Sequence, residues 1–278
     1  MRLTPLSPVP PRVSRSLVLG IAAALALSTA AVAAEGSTKR HPPKAEEFSF
    51  EGPFGTYDRG ALQRGFQVYK EVCAACHSLN LVAFRNLTQP GGPEFTEAQG
   101  RALAAAVKVH AEPNDMGETT DDKGEPLMRP AVLSDHFPAP YANENAARAS
   151  NSGALPPDLS LIVKARMGGP QYLYSLLTGF HEKAPAGFKV ADGKYYNPYF
   201  DGWTIGMPPP LANNGVTYSD GTKATIEQQA HDVTTFLAWA AEPKMEDRKR
   251  MGFGVIIFLV AFAGVLFAAY RKVWKDAH

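Results

Sequence analysis

The pattern Cys73-Ala74-Ala75-Cys76-His77 contains the only two cysteines of the 278-residue chain. Residues three apart on a helical turn share a face, so each thiol can form a thioether with one vinyl group of a single haem. The imidazole of His77 then faces the iron from the same side. C-x-x-C-H is a haem attachment signature. It predicts one covalently attached haem c, held by Cys73 and Cys76, with His77 as an axial ligand.

Three alternatives to haem attachment are open for this motif. A disulfide oxidoreductase also uses C-x-x-C, but it needs no histidine after the second cysteine. A structural zinc site needs four ligands, and the chain has no second cysteine pair to complete one. Chance occurrence is the third alternative. Haem attachment is favoured because the chain also begins with an export-like signal.

The second axial ligand has ten histidine and methionine candidates between the two ends of the chain. Met207 stands apart because Pro208–Pro210 stiffen the backbone behind it, and Gly206 allows close approach to a flat cofactor. A thioether ligand raises the reduction potential relative to a second histidine. It would also occupy the sixth coordination position of the iron, which favours electron transfer over binding of oxygen or peroxide. The residues alone leave nine others open: His41, His110, His136, His181, His231, Met116, Met128, Met167 and Met245.

Both ends of the chain are apolar. The N-terminal segment has basic residues, a short apolar run and a cleavage pattern after Ala33 or Ala34, as in a secretory signal. An uncleaved N-terminal anchor is the alternative. Met251–Tyr270 has twenty residues without a charge, enough to cross a hydrocarbon core of about 30 Å. The predicted parts are a cleaved signal peptide (1–34), a periplasmic haem c domain (35–250), a transmembrane anchor (251–270) and a cytoplasmic tail (271–278).

The charge balance of the exported part bears on its partners. Residues 35–245 carry 19 Lys and Arg against 24 Asp and Glu. This mildly acidic balance disfavours nucleic acid as a partner and suits a positively charged protein better. Six of the acids fall in residues 112–125. A solvated loop is the favoured interpretation of that run, and a docking patch for a basic electron carrier is the alternative.

Hydrophobic periodicity predicts helices on either side of the haem motif and near the end of the domain. The chain also has 24 glycines and 23 prolines, so much of it should be ordered loop. The predicted fold is mainly α: a class I cytochrome c-like haem domain with inserted loops, plus one C-terminal transmembrane helix. The predicted helices are Asp58–Val72, Thr96–Val109, Asn145–Ala149, Asp158–Arg166, Tyr172–Leu177 and Thr225–Ala241.

Several stretches outside the haem motif fit one family. They are Arg64–Lys70, Pro156–Ser160, Tyr196–Phe200, Ile205–Pro209 and the run from Asp232 to Gly252. From about residue 50 to its end the chain therefore resembles the cytochrome c1 family of the quinol–cytochrome c reductase (cytochrome bc1) complex. Some bacterial members carry an extra cysteine pair near the methionine ligand, and this chain has none.

The resemblance implies roles for six residues. They are haem attachment by Cys73 and Cys76, iron ligation by His77 and Met207, contact with a haem propionate by Arg166, and a position near the same haem edge for Tyr172.

The resemblance also implies partners and a location. An electron would come from a Rieske iron–sulfur protein and leave to a soluble or tethered cytochrome c. Cytochrome b would lie beside the membrane segment of a dimeric complex in the bacterial inner membrane. Substrate chemistry would belong to the partners, so no catalytic residue is expected on this chain alone. The competing functions are an independent tethered monohaem carrier and a haem enzyme such as a peroxidase.

Overall fold

A computed structural model describes residues 39–275. The predicted signal peptide (1–34) and the last three residues of the predicted tail lie outside the described residues. Within 39–275 the fold is mainly α, as predicted; it also contains two short antiparallel two-stranded sheets, which the sequence did not predict. The elements are α1 (Arg59–Val68), α2 (Glu97–Ala105), β1 (Lys108–His110), β2 (Met128–Pro130), α3 (Glu144–Ser150), α4 (Gly169–Gly179), β3 (Tyr195–Tyr196), β4 (Thr204–Ile205), α5 (Ile226–Ala241) and α6 (Met245–Val273).

Helix α1 leads directly into the haem motif. It begins after Asp58, whose carboxylate caps the helix by accepting from the amide of Ala61. At its C-terminal end the backbone widens into a π-helical turn, Tyr69–Cys73, where the amide of Ala74 donates to the carbonyl of Tyr69 at 2.8 Å. Such turns often occur at functional sites. The predicted helix is confirmed, with its last turn wound more widely than expected.

Helices α1 and α5 cross closely and form the centre of the core. A side chain at Gly65 of α1 would overlap the carbonyl oxygen of Asp232 in α5, so only glycine permits this approach. Around the crossing the buried apolar side chains of both helices pack together: Leu62, Phe66, Val68, Val233, Phe236 and Leu237. This confirms the two helices predicted at Asp58–Val72 and Thr225–Ala241 and shows that they pack against each other.

A buried ion pair fixes the register of this crossing. The carboxylate of Asp232 is fully buried and accepts from the Arg64 guanidinium at 2.9 and 3.0 Å. The Nη1 of Arg64 also binds Asp220 at 2.9 Å. Loss of one partner from a buried pair costs about 3–5 kcal/mol. The pair therefore strongly disfavours any slip of α1 along α5.

The helix predicted over Thr96–Val109 is wrong in its last part. Helix α2 ends at Ala105, and Lys108–His110 forms strand β1, in which Val109 lies opposite Arg129 of β2. Val107 and Val109 are β-branched, and such side chains suit a strand better than a helix end. Residues 112–125 lie in the connection between β1 and β2, and all six of their acidic residues are exposed.

The helix predicted over Asp158–Arg166 is also wrong, because the segment forms successive turns. The amide of Leu159 donates to the carbonyl of Ser78 at 2.9 Å, and the amide of Ser160 donates to the side chain of Asp158. The bond to Ser78 fixes the start of the segment from outside it, and inside the segment the amides of Ile162 and Lys164 bond to carbonyls only three residues back, so the backbone forms separate turns. The other predicted helices, at Asn145–Ala149 and Tyr172–Leu177, are confirmed within α3 and α4.

Helix α6 contains the predicted membrane segment Met251–Tyr270. In the part of the chain that the structure describes, it is the one helix long and apolar enough to cross a membrane. Its large apolar side chains from Met251 onward are exposed, as expected for a helix that faces lipid or a membrane partner. Near its start, the Glu246 carboxylate accepts two bonds from Arg59, which ties α6 to α1.

Candidate haem site

The cysteine–histidine motif forms a compact turn at the end of α1. After the π-helical turn, the amides of Cys76 and His77 both donate to the carbonyl of Cys73, at 3.1 and 2.9 Å. The hydroxyl of Tyr69 donates to the carbonyl of His77 at 3.2 Å and closes the turn against the core. Both cysteines are free thiols, held one turn apart. This is the spacing that two thioethers to one haem require.

The environment of Cys73 argues against a thiol–disulfide enzyme. Its side chain packs against the hydrophobic core, and this burial, with the nearby Cys76, raises the pKa of the Cys73 thiol to about 12. A redox-active C-x-x-C motif needs a nucleophilic thiol with a lowered pKa. The two cysteines are therefore better suited to permanent thioether bonds than to disulfide exchange.

The His77 side chain is oriented by one hydrogen bond. Its Nδ1 lies 2.8 Å from the carbonyl oxygen of Pro157, which can only accept, so Nδ1 carries the proton. Burial lowers the pKa of His77, and the Pro157 carbonyl and the Asp158 charge only partly oppose this effect. The ring is therefore neutral near pH 7, with an Nε2 lone pair available for a metal. A ligand histidine fixed through its other nitrogen is the usual arrangement in metal sites.

Asp158 holds the segment that supplies this carbonyl. Its carboxylate accepts from the Ser78 hydroxyl, the Asn80 amide and the Ser160 amide, each at 2.8 Å. Burial raises the pKa of Asp158, but these hydrogen bonds outweigh it and the net shift is downward. Asp158 thus binds the residues that follow the motif, and it directly follows Pro157, so it holds the Pro157 carbonyl next to His77. The sequence placed it only in the Pro156–Ser160 stretch and at the start of a predicted helix, with no role.

Met207 follows directly after the β3–β4 hairpin. Tyr195 pairs with Ile205 in that hairpin, so the backbone two residues before Met207 is fixed. The space beside Gly206 is occupied by Ala154: a Cβ on Gly206 would lie 3.2 Å from the Ala154 Cβ. Ala154 precedes Pro157 by only three residues. The segment 154–157 therefore lies against both the methionine loop and His77.

Arg166 and Tyr172 form a separate group. Tyr172 is buried, and the guanidinium of Arg40 lies 4.8 Å from its ring centroid. Burial raises the pKa of Tyr172, and the positive charges of Arg40 and Arg166 oppose the rise. Arg166 itself is exposed. Among residues 39–275 no hydrogen bond or ring contact joins this pair to the Cys73–His77 turn. No sequence pattern indicates a role for Arg40.

These donors fit a c-type haem. Two thiols stand one turn apart, a neutral imidazole has its remote nitrogen free, and a thioether follows a stiff hairpin nearby. Such a haem would supply a one-electron iron centre. The residues that would hold it are Cys73, Cys76, His77 and Met207, and the hydrogen bond to Pro157 orients the His77 imidazole.

Comparison with known proteins identifies the family. The family model described as the Cytochrome C1 family matches residues 48–277, which is most of the chain. The chain belongs to the cytochrome c1 family. Membership implies a c-type haem used in respiratory electron transport. Together with the apolar helix α6, it also identifies a membrane-anchored protein.

Individual relatives are similar over long stretches. The cytochrome c1 of Rhodospirillum rubrum is 44% identical over 267 residues, 91% of this chain and 93% of that protein. The cytochrome b/c1 of Bradyrhizobium diazoefficiens is 49% identical over 88% of this chain, which spans only 37% of that longer protein. The cytochrome b-c1 complex catalytic subunit of Candida albicans is 49% identical over 79% of this chain and 72% of that protein.

Asp158→Ala should destabilise the haem-loaded chain by about 2 kcal/mol or more at pH 7, because hydrogen bonds to a charged group are worth roughly 1.5–3 kcal/mol. The folded pKa of Asp158 is lowered, so its contribution is present above the unfolded pKa of about 3.9 and is lost as the pH falls through the folded value. The measurement is urea unfolding in detergent, followed by circular dichroism, at pH 7 and pH 3.

Asp158→Asn keeps one acceptor oxygen and should fall between the parent and the alanine variant. Exposed Asp192 gives a matched control, since Asp192→Ala should change stability by no more than about 0.5 kcal/mol. Equal stability of parent and Asp158→Ala at pH 7 would contradict the role assigned to this carboxylate.

Proposed function

We propose that this chain is the haem subunit of a quinol–cytochrome c reductase. It accepts one electron from a Rieske iron–sulfur protein onto a single covalent low-spin haem and passes that electron to a cytochrome c. The observation that carries the proposal is the Cys73–His77 turn, in which the Pro157 carbonyl orients His77 as a neutral imidazole. Membership of the cytochrome c1 family supports the same conclusion.

Each predicted site residue has a role in this proposal. Cys73 and Cys76 attach the haem, and His77 binds the iron on that side. Met207 binds it on the other side, from a loop stiffened by the hairpin before it and the prolines after it. Its thioether raises the potential relative to a second histidine. The set is completed by Arg166, which neutralises a propionate, and by Tyr172, which packs near the same edge.

The proposed location and partners rest on the two apolar segments of the chain and on its relatives. The haem domain (35–250) lies in the periplasm, the anchor (251–270) in the bacterial cell membrane and the tail (271–278) in the cytoplasm, after removal of residues 1–34. Relatives named cytochrome b/c1 and cytochrome b-c1 complex subunit support cytochrome b as the membrane neighbour. A dimeric complex and a soluble or tethered cytochrome c acceptor belong to the same proposal.

A reduced-minus-oxidised visible spectrum tests the complex directly. The tagged chain, purified in mild detergent, should bring b-type haem with its one c-type haem, and added quinol should reduce the c-type haem. The quinol test needs an inhibitor-treated sample as its control, in which reduction should stop. A lone c-type signal at every gentle detergent level would instead indicate an independent tethered carrier.

The Met207→Leu variant tests the second axial ligand. It should retain covalent haem, because the attachment residues are untouched. Its reduction potential should fall by a sizeable part of the roughly 0.8 V range that axial ligands span. Spectroelectrochemical titration measures the change. Met116→Leu is a matched control, since Met116 is 80% exposed in the β1–β2 connection. An unchanged potential in Met207→Leu would show that another residue is the ligand.

A further inference from the structure

The residues just before α1 form a tight loop with a phenylalanine at its tip. The loop closes where the amide of Thr56 donates to the carbonyl of Ser49 at 3.1 Å. Next to this closing bond, a side chain at Gly55 would overlap the carbonyl of Glu51, so the bend requires glycine. Phe54 at the tip is 77% exposed. An ordered loop that presents a large apolar side chain to the outside suggests an apolar contact there.

Helix α6 holds this loop in place. The Lys249 ammonium donates to the carbonyls of Phe50 and Gly55, at 2.6 and 3.0 Å, and so occupies the middle of the loop. One turn earlier, the Glu246 carboxylate accepts from the amide of Tyr57 at 2.8 Å. The loop is therefore attached to the first turns of α6, just before the apolar run begins.

The tip of the loop lies at the level where α6 becomes apolar. The Phe54 ring is 5.9 Å from the Phe253 ring, in an edge-on arrangement. Phe253 is two residues inside the apolar run that starts at Met251, which places it about 3 Å past the start of that run at 1.5 Å per residue. The exposed surface of Phe54 thus continues the exposed apolar surface of α6.

We propose that this loop, residues 49–56, is a second membrane contact, with Phe54 inserted among lipid chains at the boundary with the headgroups. The proposal rests on α6 crossing the bilayer. Lipid is the occupant that fits, because the loop surface continues the lipid-facing surface of α6. The side chains of Arg248 and Arg250 pair with Glu242 and Asp247 but remain 62% and 83% exposed. They stand at the start of the apolar run, where lipid phosphates lie. Attachment at two points fixes the height and tilt of the haem domain above the membrane.

The test uses a label that reacts with thiols. In the proposed haem-loaded chain Cys73 and Cys76 are bonded to the haem, so neither reacts with the label. A Phe54→Cys variant can then carry a single nitroxide label, and Phe54 is exposed, so the fold should tolerate the change. The haem-loaded full chain is reconstituted in vesicles of phosphatidylcholine and phosphatidylglycerol. Electron paramagnetic resonance then measures collisions of the label with oxygen, which enters lipid, and with a nickel chelate, which stays in water.

Labels at two further exposed positions calibrate the result. Met116→Cys reports a site in water, and Val260→Cys reports the middle of the apolar helix. The oxygen-to-nickel ratio at position 54 should be several-fold higher than at 116 and closer to that at 260. Lys249→Met should increase the motion of the label at 54, because the loop loses its two bonds to the ammonium.

Two results would overturn the proposal. A ratio at 54 equal to that at 116 would place the loop in water. A label at 54 that is shielded from both reagents when the chain is part of its purified complex would show that a protein partner, not lipid, covers the loop. A water-like ratio at 260 would show that α6 does not cross the bilayer. The loop contact would then fail together with the anchor on which it depends.

Discussion

The close crossing of α1 and α5 at Gly65 is the constraint on which the rest of the haem domain depends. It allows the two helices to approach within backbone contact, and the buried Arg64–Asp232 pair fixes their register. The cysteine–histidine turn extends directly from α1, so its position relative to the core follows from that crossing. Tyr69 transmits the constraint, because it is buried beside α5 and its hydroxyl binds the His77 carbonyl.

The second half of the site is positioned by short loops and not by helices. The segment around Pro157 and Asp158 uses its polar groups to bind residues 77–81, and on its other side it fills the space beside Gly206. One irregular segment therefore relates the histidine to the predicted methionine ligand. Irregular backbone of this kind requires many specific hydrogen bonds, since it has no ladder of its own. This requirement explains why the carboxylate of Asp158 accepts hydrogen bonds from three donors.

Sequence reasoning succeeded where a single pattern determines the outcome. The apolar run of α6 and the periodicities of α1 and α5 each predict one local structure, and the structure confirms all of those elements. It failed at Asp158–Arg166 and at the end of Thr96–Val109, where tertiary hydrogen bonds and strand pairing override local preference. The contacts of Arg40 and of Lys249 join residues more than 120 positions apart, and no local pattern predicts such pairs. The haem-binding roles of all six site residues stay predictions: Cys73, Cys76, His77, Arg166, Tyr172 and Met207.

The most direct measurement of the central claim is the mass of the purified mature chain after denaturation and extraction with acidified organic solvent. A chain that carries haem through Cys73 and Cys76 should keep the mass of one haem. Replacing both cysteines with alanine should remove that mass, and a single replacement should leave haem held by one bond. Complete extraction of haem from the unmodified chain would contradict covalent attachment and, with it, the geometry assigned to the site.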